Sequence, residues 1–199
     1  GLFGGNADLD RERAETIEAG VSYQQESVSG KVVVFRRQDK GLVDWVYSTG
    51  SPTARRAAPV DMEVSGLEGL VRWDGEATSL ELGFAWLNKD EDYNDASVDA
   101  SYYALNFAKY RLLLTLEQAI TDAIVVRFQG EYRKHPDNLL RTGGDEAFRL
   151  NVEATWKNFI EPGWNLTARF DNLTKENFQS IPGTPAPGRE GVLTLSYDW

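Results

Sequence analysis

From residue 13 to its end, this chain is written largely in period two. Ile17, Ala19, Val21 and Tyr23 alternate with Thr16, Glu18, Gly20 and Ser22. Ile124, Val126, Phe128, Gly130 and Tyr132 alternate with Val125, Arg127, Gln129, Glu131 and Arg133. The same rhythm runs through Phe148 to Trp156, through Trp164 to Phe170, and through Leu193 to Trp199. A β-strand places successive side chains on opposite faces, so strict alternation describes a sheet with one apolar and one hydrated side. About nine such strands are predicted and no helix. Lys40-Gly41 is predicted as a bulge or bend inside the strand that runs from Lys31 to about Tyr47.

The connections narrow the choice further. Short ones fall near 25–30, 74–78, 118–122 and 158–163; long ones fall near 48–59, 88–101, 135–146 and 172–188. They alternate strictly, so an up-and-down meander collects all short turns at one end and all long loops at the other. That asymmetry belongs to a transmembrane β-barrel. Aromatics close many of the apolar faces (Tyr23, Trp73, Trp86, Tyr110, Tyr132, Trp156, Trp164, Tyr197), as interfacial girdles require. The expected arrangement puts Leu112, Leu114, Leu116, Ile124, Val126, Phe128, Leu150, Val152, Leu166, Leu193 and Leu195 on the outside of a curved sheet. Arg111, Arg127, Glu131, Arg149, Glu153 and Arg169 then face its concave side, hydrated and paired with one another or with a plug. The alternatives are a small standalone outer-membrane barrel and a soluble β-sandwich serving binding or adhesion.

Composition excludes several functions. No apolar run approaches the roughly 18 residues of a membrane helix, while spanning strands need only about 9–11; a mean hydropathy of -0.44 is compatible with either setting. The net charge of -10 argues against nucleic acid, whose phosphates call for a basic stripe. Cysteine is absent, which removes disulfides, thiolate nucleophiles and Cys-ligated zinc. No catalytic motif is present, so the expectation is a non-enzyme without a cofactor. The lone histidine, His135, sits beside Pro136 and is expected at a loop surface. Asp90, Asp92, Asn94 and Asp95 have the alternate-oxygen spacing that calcium favours. They lack the glycine and the bidentate glutamate of a dedicated calcium loop, so a solvated acidic loop is expected there and no metal. Trp45, Tyr47, Tyr93, Tyr102 and Tyr103 lie near loop bases, where they are expected to stack on a bulky ligand.

Three stretches carry a family resemblance. Gly5-Asn6-Ala7-Asp8-Leu9-Asp10-Arg11-Glu12 with Glu18-Ala19-Gly20, then Gly66-Leu67-Glu68, and finally Asp171-Asn172-Leu173-Thr174-Lys175-Glu176-Asn177-Phe178 with Pro187-Gly188-Arg189 occur in this order. Together they resemble the C-terminal part of a TonB-dependent outer-membrane receptor barrel, of the cobalamin and ferric-siderophore receptor type. The resemblance implies a 22-strand barrel, of which residues 1–199 would be the last nine strands, the plug and earlier strands lying elsewhere. With Gly1 in place of Met, a removed leader or a truncation is expected, truncation being preferred. The resemblance further implies uptake of a scarce, bulky nutrient chelate across the outer membrane of a Gram-negative bacterium. The implied partners are outer-membrane lipid, the plug, the TonB energy-transducing complex acting through that plug, and the barrel assembly machinery. For that machinery the expected signal is the terminal face of Leu193, Leu195, Tyr197 and Trp199.

Overall fold

The computed structural model describes residues 3–49, 55–94, 97–104, 106–184 and 186–199, with the backbone alone at Phe3. The alternating segments become nine antiparallel strands in one sheet, each bonded to its neighbour in sequence apart from the short insertions. In chain order the strands are β1 (Phe3–Gly4), β2 (Arg13–Gln25), β3 (Val28–Tyr47), β4 (Arg55–Asp74), β5 (Thr78–Asp92), β6 (Ala100–Ser101), β7 (Tyr110–Ala119), β8 (Ile124–Lys134), β9 (Glu146–Trp156), β10 (Trp164–Asp171) and β11 (Glu190–Tyr197). The meander runs β2-β3-β4-β5-β7-β8-β9-β10-β11, with β1 on β4 and β6 on β3. No second sheet packs against it among the described residues, which removes the β-sandwich alternative. Each terminal strand of the meander, β2 and β11, is bonded on one side only.

Register converts the alternation into two faces. Leu82 pairs with Leu114, Leu116 with Phe128, Phe128 with Val152, and Leu166 with Leu195, so apolar side chains from successive strands merge into one band. All the leucines and aromatics expected on the outer face share it. The band has defined borders. At the short-turn end stand Tyr23, Trp73, Trp156, Trp164 and Tyr197; at the other end Trp86 pairs with Tyr110 and Tyr132 with Phe148. Past that border the same face turns polar along one cross-strand line, Arg36 to Ser65 to Asn88. From Ile124 to Tyr132 the band spans eight residue steps. At about 3.4 Å per step and a tilt near 40° these give about 21 Å of height, close to the apolar belt of a membrane barrel.

The strands differ from the sequence expectation mainly at the long-loop end. β4 begins at Arg55, inside the expected loop 48–59, and β5 continues to Asp92, inside the expected loop 88–101. Pro59 is tolerated because the edge of β4 at that point faces neither β1, which pairs at Arg55 and Arg56, nor β5, whose pairing starts at Asp61. The bulge predicted at Lys40-Gly41 is present: pairing shifts between Asp39 and Leu42, and Gly41 takes a φ of 64°.

Candidate functional site

The buried core of this molecule is not between sheets. It lies at the long-loop end, where loops fold over the face opposite the apolar band. Beyond the Gly41 bulge the β3–β4 hairpin outruns its neighbours, and its free edges are taken by β6 on one side and β1 on the other. At the centre sits Asp44, fully buried. Its Oδ1 accepts the N–H groups of Trp45 (2.7 Å) and Tyr103 (3.1 Å), and its Oδ2 accepts the N–H of Ala104 (3.0 Å) and the hydroxyl of Tyr93 (3.1 Å). Four donors satisfy the buried carboxylate, as burial of an ionised acid requires. Small neighbours, Ala57, Ala58, Ala100 and Ala104, let the strands and the loop approach closely. Burial pushes the Tyr93 phenol well above its ordinary pKa, so it remains a donor to Asp44.

The five aromatics expected to stack on a ligand lie around this hairpin but do not share one face. Tyr93 is bound to Asp44, and Tyr102 lies under the Arg55 guanidinium, whose carbon is 3.7 Å from the ring centre. Trp45 and Tyr47 occupy the face of β3 opposite Asp44 and Val46. Tyr103 is anchored through its N–H while the residue stays exposed.

A second buried cluster covers β8 and β9. Arg141 is buried to its tip, and its guanidinium donates to Asp145 Oδ1 (2.5 Å), Asn106 Oδ1 (2.6 Å) and the carbonyls of Pro136 (3.1 Å) and Gln179 (3.3 Å). It also lies 5.0 Å from the Phe178 ring. Asn106 in turn donates to the carbonyl of Ser180 (3.1 Å), so loops 97–109, 135–145 and 172–189 meet at one guanidinium. Asn172 shapes the last of these loops. Its amide donates to the carbonyls of Glu176 (2.7 Å) and Pro187 (3.1 Å), and its Oδ1 accepts the Glu176 N–H (2.7 Å). This clamp is the physical content of the Asn172-Leu173 … Pro187-Gly188 motif.

His135 departs from expectation. It is buried rather than exposed, with its ring 4.9 Å from Phe178 and Nδ1 3.3 Å from Arg141 Nη2, while Nε2 has no hydrogen-bond partner. Arg141 of the same loop and Phe178, remote in sequence, enclose it. Burial first, then the Arg141 and Arg133 charges, pull its pKa down to about 4, so the ring is neutral at pH 7.

Below the roof the same face is laced with ion pairs. Glu131 bridges Arg111 (2.7 Å) and Arg133 (2.5 Å); Arg127 reaches Glu117 (2.5 Å) and Glu153 (3.6 Å); Arg169 meets Asp171 (2.9 Å). The acidic loop holds no such cluster. Asp90 and Asp92 lie opposite Glu63 and Asp61 on the band-side face, and Asp92 Oδ1 accepts the Asn94 N–H (2.8 Å). Asp95 lies outside the described residues, among which no group of three or more His, Cys, Asp or Glu is arranged to hold a metal. At the terminus, Leu193, Leu195 and Tyr197 stand on the apolar face, the Tyr197 ring lies 5.1 Å from that of Trp164, and Trp199 is fully exposed.

Sequence reasoning gave no role to Asp44 or Arg141 and named Phe178 only as part of the terminal motif. The nearest signal was the Gly41 bulge, which resets the phase of β3 and turns Asp44 onto the roofed face.

A sheet that is apolar on one face, ion-paired and roofed on the other, with loops sorted by length, is the wall of a membrane β-barrel. The model for "TonB dependent receptor-like, beta-barrel" matches residues 1–173, and the chain belongs to this family. Among solved structures it is similar to the copper transporter OprC (TM-score 0.72, 12% identity, 98% of this chain and 34% of that one). It is equally similar to the FrpB iron transporter from Neisseria meningitidis (TM-score 0.72, 16% identity, 99% of this chain and 32% of that one). The siderophore receptor PirA from Acinetobacter baumannii also matches (TM-score 0.69, 17% identity, 98% of this chain and 33% of that one). At these identities the likeness is one of fold, and the chain spans about a third of the length of each. It makes the apolar band the outer wall and the roofed, ion-paired face the inner wall.

Proposed function

We propose that residues 1–199 form the last nine strands of a larger outer-membrane barrel, in a Gram-negative receptor that imports a bulky metal chelate with energy delivered through TonB. The single observation that carries this reading is the pairing of a continuous apolar outer band with an inner wall of paired ions under a built roof. A lipid-facing exterior and a hydrated interior need that combination together. A self-contained small barrel would require β2 to bond β11, and each is bonded on one side only. The plug, the preceding strands, the assembly machinery and the lipid are the partners this reading requires. The structurally similar proteins are named for copper, iron and siderophores; for this chain the proposed cargo is a ferric siderophore or cobalamin, approaching past Tyr103 and the Tyr102–Arg55 stack.

The test is uptake by cells carrying the complete gene as their only receptor of this kind. Labelled ferric siderophores and labelled cobalamin are supplied with and without a functional TonB. Accumulation of one chelate that stops when TonB is removed is expected. Accumulation of none, or import that continues without TonB, overturns the reading.

A further inference from the structure

The apolar band is not equally wide around the sheet. On β2 to β5 it runs six residue steps per strand: Ile17 to Tyr23, Val28 to Val34, Leu67 to Trp73 and Leu80 to Trp86. On β8 and β9 it runs eight, Ile124 to Tyr132 and Phe148 to Trp156. On β7 the apolar face continues from Leu116 past Gln118 to Ile120, whose N–H donates to the Ile124 carbonyl (2.8 Å) and keeps the strand in phase. Measured from the aromatic border at Trp86, Tyr110, Tyr132 and Phe148, the excess lies at the short-turn end. At about 3.4 Å per step and a tilt near 40° it amounts to about 5–10 Å of height.

The turns differ in the same sense. Those joining β2 to β3 and β4 to β5 present Glu26, Ser27, Gly75 and Glu76. Those joining β7 to β8 and β9 to β10 present Ile120 and Ile160, 59% and 67% exposed. Phe159 packs edge-on against Trp156, with ring centres 4.9 Å apart, so the second of these turns is continuous with the band.

Polar groups around these two turns are satisfied from within. Gln118, the one polar side chain on the outer face between Leu116 and Ile120, donates to the carbonyls of Ala77 (3.1 Å) and Ala119 (3.0 Å) and accepts the Thr78 hydroxyl (2.7 Å). Thr121 Oγ1 accepts the N–H groups of Ala123 (3.2 Å) and Ile124 (3.0 Å), and Asn158 Oδ1 accepts that of Gly163 (3.0 Å). Polar groups turned inward and apolar side chains turned outward suit lipid better than water. Asp122, Lys157 and Glu161 in the same turns set the depth: they call for headgroups, not the hydrocarbon interior. Both turns lie within the sheet, away from the open edges of β2 and β11, and their outer side faces away from the lumen.

We propose that the short-turn rim is not level in the membrane. The rim of β7 to β10 is seated in the headgroup–acyl boundary through Ile120, Phe159 and Ile160, while the rim of β2 to β5 stands in water. The partner is the lipid surface itself, and the proposal rests on the reading that the apolar band faces lipid.

The test places the full-length receptor in nanodiscs of phosphatidylethanolamine and phosphatidylglycerol. Single introduced cysteines at positions 26, 76, 120 and 160 carry a small fluorophore, with position 114 as the mid-band reference. Brominated lipid should quench positions 120 and 160 several-fold more than 26 and 76, and aqueous iodide should show the reverse order. With the label at Asp122 instead, Ile120→Ser combined with Ile160→Ser should raise iodide quenching several-fold while heat-modifiable mobility shows the barrel intact. Lipid contact at 114 with all four turns alike, in lipid or in water, overturns the proposal and spares the barrel reading. So does an Asp122 label that the double substitution leaves unchanged. Loss of lipid contact at 114 itself overturns both.

Discussion

The outer wall and the roof obey opposite rules. On the wall, Leu112 and Leu114 in the middle of the sheet are each 45% exposed, whereas beneath the roof Val60 and Asp44 are both 0% exposed. Among the described residues nothing covers the apolar side chains of the wall, so on the proposed reading its stability is borrowed from lipid. The roof is an ordinary protein core, held by Asp44, Arg141, Asn172 and Phe178 with their own partners. The difference teaches that substitutions should sort by which medium a position faces, and only secondarily by how exposed it is.

The largest effect is expected at Arg141. Arg141→Ala removes a buried guanidinium from Asp145, Asn106 and two carbonyls, all part-buried, and losing these charge-assisted hydrogen bonds together is expected to cost about 3 kcal/mol or more. The loss should stay in the roof. Proteolysis of loops 135–145 and 172–189 should rise sharply while the wall keeps its heat-modifiable mobility; intact loops in this variant would break the comparison.

Next come two neighbouring leucines. Leu114→Arg places a cation on the apolar band, expected to cost about 2–4 kcal/mol near the bilayer midplane. Leu113→Arg points into the lumen and should stay within about 0.5 kcal/mol. Urea unfolding of the receptor in vesicles measures both, and equal costs would erase the distinction between the faces.

Deleting Trp199 should act on assembly more than on stability. If the terminal aromatic is read during insertion, the amount of assembled receptor falls several-fold while ligand affinity of the assembled fraction barely changes. Equal assembly would leave only its interfacial burial, roughly 2 kcal/mol.

The mildest effect is a pH dependence confined to the roof. The folded pKa of His135, about 4, lies below its unfolded value, so its contribution is fully present above about pH 6.5 and drains away as pH falls toward 4. Protease sensitivity of loop 135–145 should rise over that window, and His135→Gln should flatten the rise.

The same contrast decides how much of the fold is legible in the sequence. The wall is legible because each strand declares its faces locally: Leu112, Leu114 and Leu116 alternate with Arg111 and Thr115, and neither a partner nor a distance is needed to see it. Leu113 is the exception, since three leucines in a row hide which one faces the lumen. The roof is illegible because its logic is long-range. Arg141 gains meaning from Asn106 and Gln179, and Asp44 from Tyr93 and Ala104, pairings no local period announces. The two-residue strands β1 and β6 are too short to show alternation at all.

On the proposed reading this sheet faces lipid on one side and water on the other. The most direct measurement places single nitroxide labels, through introduced cysteines, at each position from Arg111 to Leu116 in the vesicle-embedded receptor. Collision rates with oxygen and with a water-soluble nickel complex are then compared. Oxygen should dominate at positions 112, 114 and 116 and nickel at 111, 113 and 115. Equal nickel access at all six positions, or the reverse phase, would contradict the claim.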